Sequence, residues 1–174
     1  MTRYAALLRG VNVGGVNLKM ADVAATFSDA GFTNVRTILA SGNVLFDSKS
    51  GVDAVRTKAE GALRKTFGYD AWVLAYPLDT VRAISDAFPF EREVADYQSY
   101  VTFVSDPDIL DELTELAKGA GPGESIERGV GVVYWQVPKG RTLDTTMGST
   151  MGKKRYKSAT TTRNLRTVDK LLKP

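Results

Sequence analysis

The stretch LLRGVNVGGVNLKM, residues 7–20, places an arginine, three glycines, two asparagines and a lysine directly after an apolar run. Those residue types suit anion recognition, because glycine lets backbone N–H groups approach a ligand while Arg and Lys supply charge. The nucleotide-binding motifs nevertheless fail on spacing. Gly10 and Gly15 have the separation of a P-loop, but Val16 and Asn17 stand where Lys and Ser or Thr are needed. The dinucleotide fingerprint G-x-G-x-x-G is absent as well. What remains is Arg9, Asn12, Gly14, Gly15 and Lys19 ahead of a helix start, where unpaired N–H groups favour an anion. The competing reading is conformational: Gly14 or Gly15 takes positive φ in a tight turn, and Asn17 caps the helix. A second turn, Ser41-Gly42-Asn43, is ordinary hairpin chemistry, and Ser41 and Asn43 join the site only if that tip lies beside the glycine loop.

The other group with chemical content is basic. Residues 139–174 hold ten Lys or Arg against Asp144 and Asp169, a net charge of +8 that leaves −5 for residues 1–138. On a helix starting near residue 160, Arg163, Arg166, Lys170 and Lys173 form a stripe opposite Leu165, Val168 and Leu172. With Lys153, Lys154 and Arg155 close in sequence, this is an electrostatic footprint for phosphates, which sets Lys153, Lys154, Arg155, Arg166 and Lys170 as candidate nucleic-acid contacts. Tyr156 is the only aromatic within the basic cluster, a thin basis for stacking bases.

The chain has no cysteine and no histidine. That removes thiolate chemistry, Ser-His-Asp triads and the usual zinc ligands, so catalysis would rest on carboxylates, Lys, Arg, Tyr or a carboxylate-bound Mg²⁺. The acidic cluster Asp106, Asp108, Asp111 and Glu112 sits at a helix start, where the dipole already favours it. No catalytic residue, metal site or cofactor is assigned. The opening TRYAALLRG lacks a signal-peptide core, and no apolar run approaches the roughly 20 residues that span a bilayer. These features predict a soluble cytoplasmic protein.

The elements that must position these residues follow from periodicity. YAALLRG reads as a buried strand, MADVAATFSDAG as a helix with Met20, Val23, Ala24 and Phe27 on one face, and NVRTILA with NVLFDS as a hairpin. VDAVRTKAEGALRKTFG is a second helix and AWVLAY a strand, giving β-α-β-β-α-β. The order recurs. SYVTFVS is a strand, Asp106-Pro107 starts a helix, ESIERGVGVVYWQV is a hairpin and TTTRNLRTVDKLLK a final helix. The segment TTMGSTMGKKRYKS, broken by glycines, predicts a mobile or marginal helix. The organisation is a first α+β subdomain over residues 1–77, a connector over 78–98 and a second subdomain over 99–174. The second half passes from strand to helix through Ser105-Asp106-Pro107, whereas the first spends residues 10–19 on the same connection. Connections of this kind take about 2–6 residues, so the extra length invites a reason beyond chain reversal.

ALLRGVNVGG, FTNVRTILASGNVLF and TTRNLRTVDKLL together resemble the bacterial domain-of-unknown-function family numbered 1697. The resemblance spans essentially the whole chain. It implies an α+β fold of two fused ferredoxin-like βαββαβ subdomains with mostly antiparallel sheets, and no established activity. Its signature positions are Arg9, Gly10, Asn12, Gly14, Gly15, Ser41, Gly42, Asn43, Arg163 and Asn164. Leu165, where members often carry an aromatic, and glycines 148 and 152 depart from the pattern. The leading expectation is a module binding a phosphate-bearing ligand, a nucleotide or nucleic acid, through loop 10–19 and the basic C-terminal segment. A transferase or hydrolase acting on a phosphorylated substrate, and an interaction domain with no small ligand, are the alternatives.

Overall fold

The computed structural model describes residues 1–12, 16–151, 153–156 and 158–174. Two compact units divide it: Met1–Arg82 with Lys170–Pro174, and Ala83–Asp169.

In the first unit the apolar run becomes β1 (Thr2–Leu8), and the amphipathic segments become α1 (Met20–Asp29) and α2 (Val52–Phe67). β2 (Thr33–Thr37) and β3 (Asn43–Ser48) form the hairpin, and β4 (Val73–Pro77) closes the sheet. The strand order is β2-β3-β1-β4, all antiparallel, which is the ferredoxin-like arrangement. One helix face buries Val23 and Phe27, the other Val55, Ala59 and Leu63. Phe32 and Phe46 meet with ring centroids 4.4 Å apart, and Phe27 lies 5.5 Å from Phe46, so three aromatics fill the layer between sheet and helices. α2 stops at Gly68, whose φ of 67° lets its N–H reach the Arg64 carbonyl at 2.9 Å.

A further helix, α3 (Leu78–Asp86), leads into the second unit. There β5 (Tyr97–Val104), β6 (Ser125–Arg128), β7 (Val132–Pro138) and β8 (Thr160–Asn164) pair antiparallel in the order β6-β7-β5-β8. This is the first sheet's order repeated, and the expected pair of ferredoxin-like sheets is present. α4 (Pro107–Glu115) begins as its sequence predicts, with Pro107 in the first turn and the Asp106 carboxylate accepting from Asp108 N at 2.8 Å. Trp135 is buried, stacks on Tyr100 at 4.3 Å and donates its indole N–H to Thr102 Oγ1 at 2.9 Å.

The C-terminal segment differs from expectation at the start of its last helix. The run TTTRN is not the first turn of the last helix but β8, paired with β5 from Val104↔Thr160 to Tyr100↔Asn164. Three consecutive β-branched threonines fit a pleated edge better than a helix. The helix α6 (Leu165–Leu171) starts afterwards, with the Asn164 carboxamide oxygen accepting from Arg166 N at 2.9 Å. Arg163 therefore leaves the basic stripe, and Leu171 rather than Leu172 joins Leu165 and Val168 in burial. TTMGSTMGKKRYKS in turn contributes the short helix α5 (Thr146–Met151), anchored by fully buried Met147.

Candidate functional site

In the first unit, the described residues of loop 10–19 and the hairpin tip come together. Leu8 N donates to Gly42 O at 2.8 Å, and Asn12 spans the gap. Both Asn12 amide hydrogens are used, one on Leu18 O at 3.0 Å and one on Ala40 O at 2.7 Å, while its oxygen accepts from Leu18 N at 2.8 Å. Asn12 holds φ 57°, a conformation that asparagine tolerates. Its side chain thus braces the loop. Asn43 does the same at the tip: it is buried and donates to Ile38 O at 2.8 Å and Ser41 Oγ at 2.9 Å. The helix cap expected of Asn17 is not formed; Lys19, exposed and without a side-chain cap bond, occupies that position. Gly14 and Gly15, with the positive φ expected of one of them, lie outside the described residues.

Gly42 is the tightest point. At φ +90°, an added Cβ would lie 2.7 Å from Val11 Cγ2 and 2.9 Å from Leu8 Cβ. Gly42→Ala is expected to cost roughly 2–4 kcal/mol, from backbone strain and overpacking together. Chemical denaturation reads that loss as a lower midpoint at unchanged slope.

Arg9 leaves the end of β1 with its backbone N–H on Trp72 O at 3.0 Å. Its side-chain Nε is buried and meets no acceptor among the described residues, and burial lowers the guanidinium's affinity for its proton.

The second unit holds a cavity of about 320 Å³. It opens where β5 begins, β7 ends and β8 gives way to α6. β8 pairs with β5 only as far as Tyr100, so residues 97–99 of β5 extend past it, and the cavity occupies that end. Arg92 and Asp169 form one wall, and they satisfy each other. Arg92 Nη2 lies 2.9 Å from both Asp169 oxygens, and Ser85 Oγ donates to the same carboxylate at 2.6 Å. Arg92 Nη1 also donates to Ser85 O at 2.7 Å, so this pair braces the approach to β5 against α6.

Lys139 and Arg166 line the same cavity, are exposed, and make no ion pair among the described residues. Asn164 and Gln98 join them. Because Arg166 N–H donates to the Asn164 oxygen, the Asn164 nitrogen must face Gln98, where it donates to Oε1 at 3.2 Å. Tyr100 O–H donates to the same oxygen at 2.8 Å. Both partners fix the Gln98 carboxamide with its oxygen engaged, which leaves its N–H₂ as the unassigned end.

Of the residues singled out by sequence, the structure brings Asn164 and Arg166 to this cavity. Arg163 is buried on β8 and donates to Thr161 Oγ1 at 2.7 Å and Thr162 O at 3.0 Å. Arg155 is held by Glu112 through two bonds of 2.9 and 2.7 Å, with Tyr156 O–H on the same carboxylate at 2.9 Å. Those bonds keep Glu112 below its usual carboxylate range. Lys153, Lys154 and Lys170 are exposed. Sequence reasoning missed Gln98 and counted Lys139 only as charge; neither sits in a motif, and only the strand ends bring them together.

No helix among the described residues is long and apolar enough to cross a membrane. No curated protein matches the chain. A solved structure described as the conserved bacterial protein SP0830 from Streptococcus pneumoniae is similar at 23% identity and a TM-score of 0.79, covering 98% of this chain and 96% of that one. At that identity the likeness concerns the fold. The model of a family described as "Protein of unknown function (DUF1697)" matches residues 1–134, and the chain belongs to that family.

Proposed function

We propose that the protein binds a small phosphate-bearing molecule in the cavity at the start of β5. The observation that carries this reading is the pair Lys139 and Arg166, two cations lining a polar cavity with no carboxylate partner among the described residues. Two like charges beside one cavity repel each other, and an anion between them relieves that cost. Arg adds a planar fork of donors that fits phosphate oxygens in pairs. The volume lies at the low end of the 300–1,000 Å³ typical of ligand sites, which favours a metabolite over a polymer. A nucleic-acid surface has less support, since Arg155 is paired with Glu112 and Arg163 is buried on a strand.

The test is ligand-induced stabilisation of the intact protein. A phosphate-bearing compound at about 100 times its Kd adds roughly 2.7 kcal/mol to the native state and raises the Tm with concentration. The expected result is a saturable rise with phosphorylated metabolites that their dephosphorylated counterparts do not reproduce. Equal behaviour of both sets, or no rise with either, contradicts the proposal.

A further inference from the structure

The cavity contains a charge that a pure phosphate site does not need. Glu93 lines it, is exposed, and makes no hydrogen bond or ion pair among the described residues. Neutral groups in the same lining present donors. Gln98 has its oxygen taken by Asn164 and Tyr100, leaving N–H₂. Ser99 is also oriented: Gln136 Nε2 donates to Glu91 O at 2.8 Å and to Ser99 Oγ at 2.9 Å, so the serine oxygen accepts and its own hydrogen is the unassigned one. Lys139 and Arg166 are donors by nature. The lining therefore offers N–H, O–H and positive charge together with two carboxylates, of which Asp169 is taken up by Arg92 and Ser85 while Glu93 makes no hydrogen bond or ion pair among the described residues.

A ligand complementary to that arrangement carries an acceptor-only anionic group and, a few bonds away, hydroxyls that can donate to a carboxylate. Building material for a nucleobase is sparse: Tyr97 is the only ring in the lining, and the aliphatic contribution is Val94, Ala95 and Leu165. A base needs an apolar stacking wall as well as space, and a cavity of about 320 Å³ offers little of either once a phosphate and a sugar are placed.

We infer that the cavity takes a phosphorylated sugar or polyol, with the phosphate between Lys139 and Arg166 and a ligand hydroxyl on the Glu93 carboxylate. This rests on the reading of the cavity as an anion site. No bond is made or broken in the binding step. Gln98 N–H₂ and Ser99 O–H donate to the remaining phosphate or hydroxyl oxygens. Glu93 weakens binding of inorganic phosphate and bare anions by repulsion and rewards a ligand that brings its own donors, so its role is specificity.

Isothermal titration of the intact protein with inorganic phosphate, ribose, ribose 5-phosphate and adenosine 5′-monophosphate separates the alternatives. Ribose 5-phosphate is expected to bind at least tenfold more tightly than inorganic phosphate and no more weakly than the nucleotide, with ribose alone silent. Glu93→Gln should weaken ribose 5-phosphate about threefold to tenfold, the loss of a charged acceptor for one hydroxyl, without weakening inorganic phosphate. Equal affinity for phosphate and ribose 5-phosphate, tighter nucleotide binding, or an unmoved Glu93→Gln variant overturns the sugar assignment while leaving an anion site standing. Silence toward all four compounds overturns both.

Discussion

Gly148→Ala is expected to destabilise the protein by about 3 kcal/mol, although alanine is the better helix former. Gly148 lies in α5, where an added Cβ would stand 1.6 Å from Thr142 O and 2.6 Å from Thr142 C, both backbone atoms. Helix propensity alone favours alanine by about 1 kcal/mol. A contact that short cannot be relieved by turning a side chain, so α5 must move away from the turn at Thr142–Asp144. That movement drags Met147, which is fully buried in the second core, and breaks the bonds through Thr145 Oγ1, which accepts from Gly148 N at 3.1 Å and donates to Thr142 O at 2.7 Å. Overpacking of this kind costs about 1–3 kcal/mol and sometimes more, which exceeds the propensity gain. For a chain of this length the Tm should fall by roughly 6–12 °C. Gly61→Ala supplies the control. Gly61 is exposed in α2 with nothing within 4 Å of its added Cβ, and there alanine should stabilise by about 0.4–1 kcal/mol. A Gly148→Ala variant as stable as Gly61→Ala would show that α5 does not approach Thr142 as described.

Replacing Lys139 and Arg166 by methionine should separate binding from folding. Both side chains are exposed and unpaired among the described residues, so each substitution should change apo stability by no more than about 0.5 kcal/mol. A charge-assisted hydrogen bond to a phosphate contributes about 1.5–3 kcal/mol, so either variant should lose about tenfold or more in affinity, and the double variant at least a hundredfold. Arg166→Met keeps the backbone N–H that Asn164 accepts, which preserves the start of α6. Arg155→Met is the comparison: its partner Glu112 is on α4 and neither residue lines the cavity, so ligand affinity should be unchanged. Titration calorimetry reads all four. Equal losses in the Arg155 and Arg166 variants would mean that bulk charge, not the cavity, attracts the ligand.

Much of the fold was legible because its signals are local. The continuous apolar run of β1, the 3.6-residue stripe of α2, and Asp106-Pro107 at the start of α4 each act within a few residues. The strand β8 was hidden by its neighbour: threonine carries little hydropathy, and TTTRN merges into the amphipathic pattern of LRTVDKLL. Its pairing with β5, about 60 residues away, is what settles it. The glycine loop was legible as a built connection, and its proximity to the hairpin tip was the expected test. Asn12 turned out to be the brace that produces that proximity, a role with no signature beyond its residue type. The cavity was illegible as a whole. Gln98, Lys139 and Arg166 come from three separated segments, and the carboxamide orientation that makes Gln98 a donor depends on Asn164 and Tyr100 through tertiary contact.

The location of the anion site is tested most directly by ¹H–¹⁵N NMR of the intact protein titrated with inorganic phosphate and ribose 5-phosphate at constant ionic strength. Binding in the cavity predicts saturable shifts of the Gln98 side-chain N–H₂, the backbone amides of residues 97–99, Lys139 and Arg166, with the amides of residues 10–19 unmoved. Shifts confined to residues 10–19 and 41–43, or a diffuse response following every exposed lysine, would contradict the account.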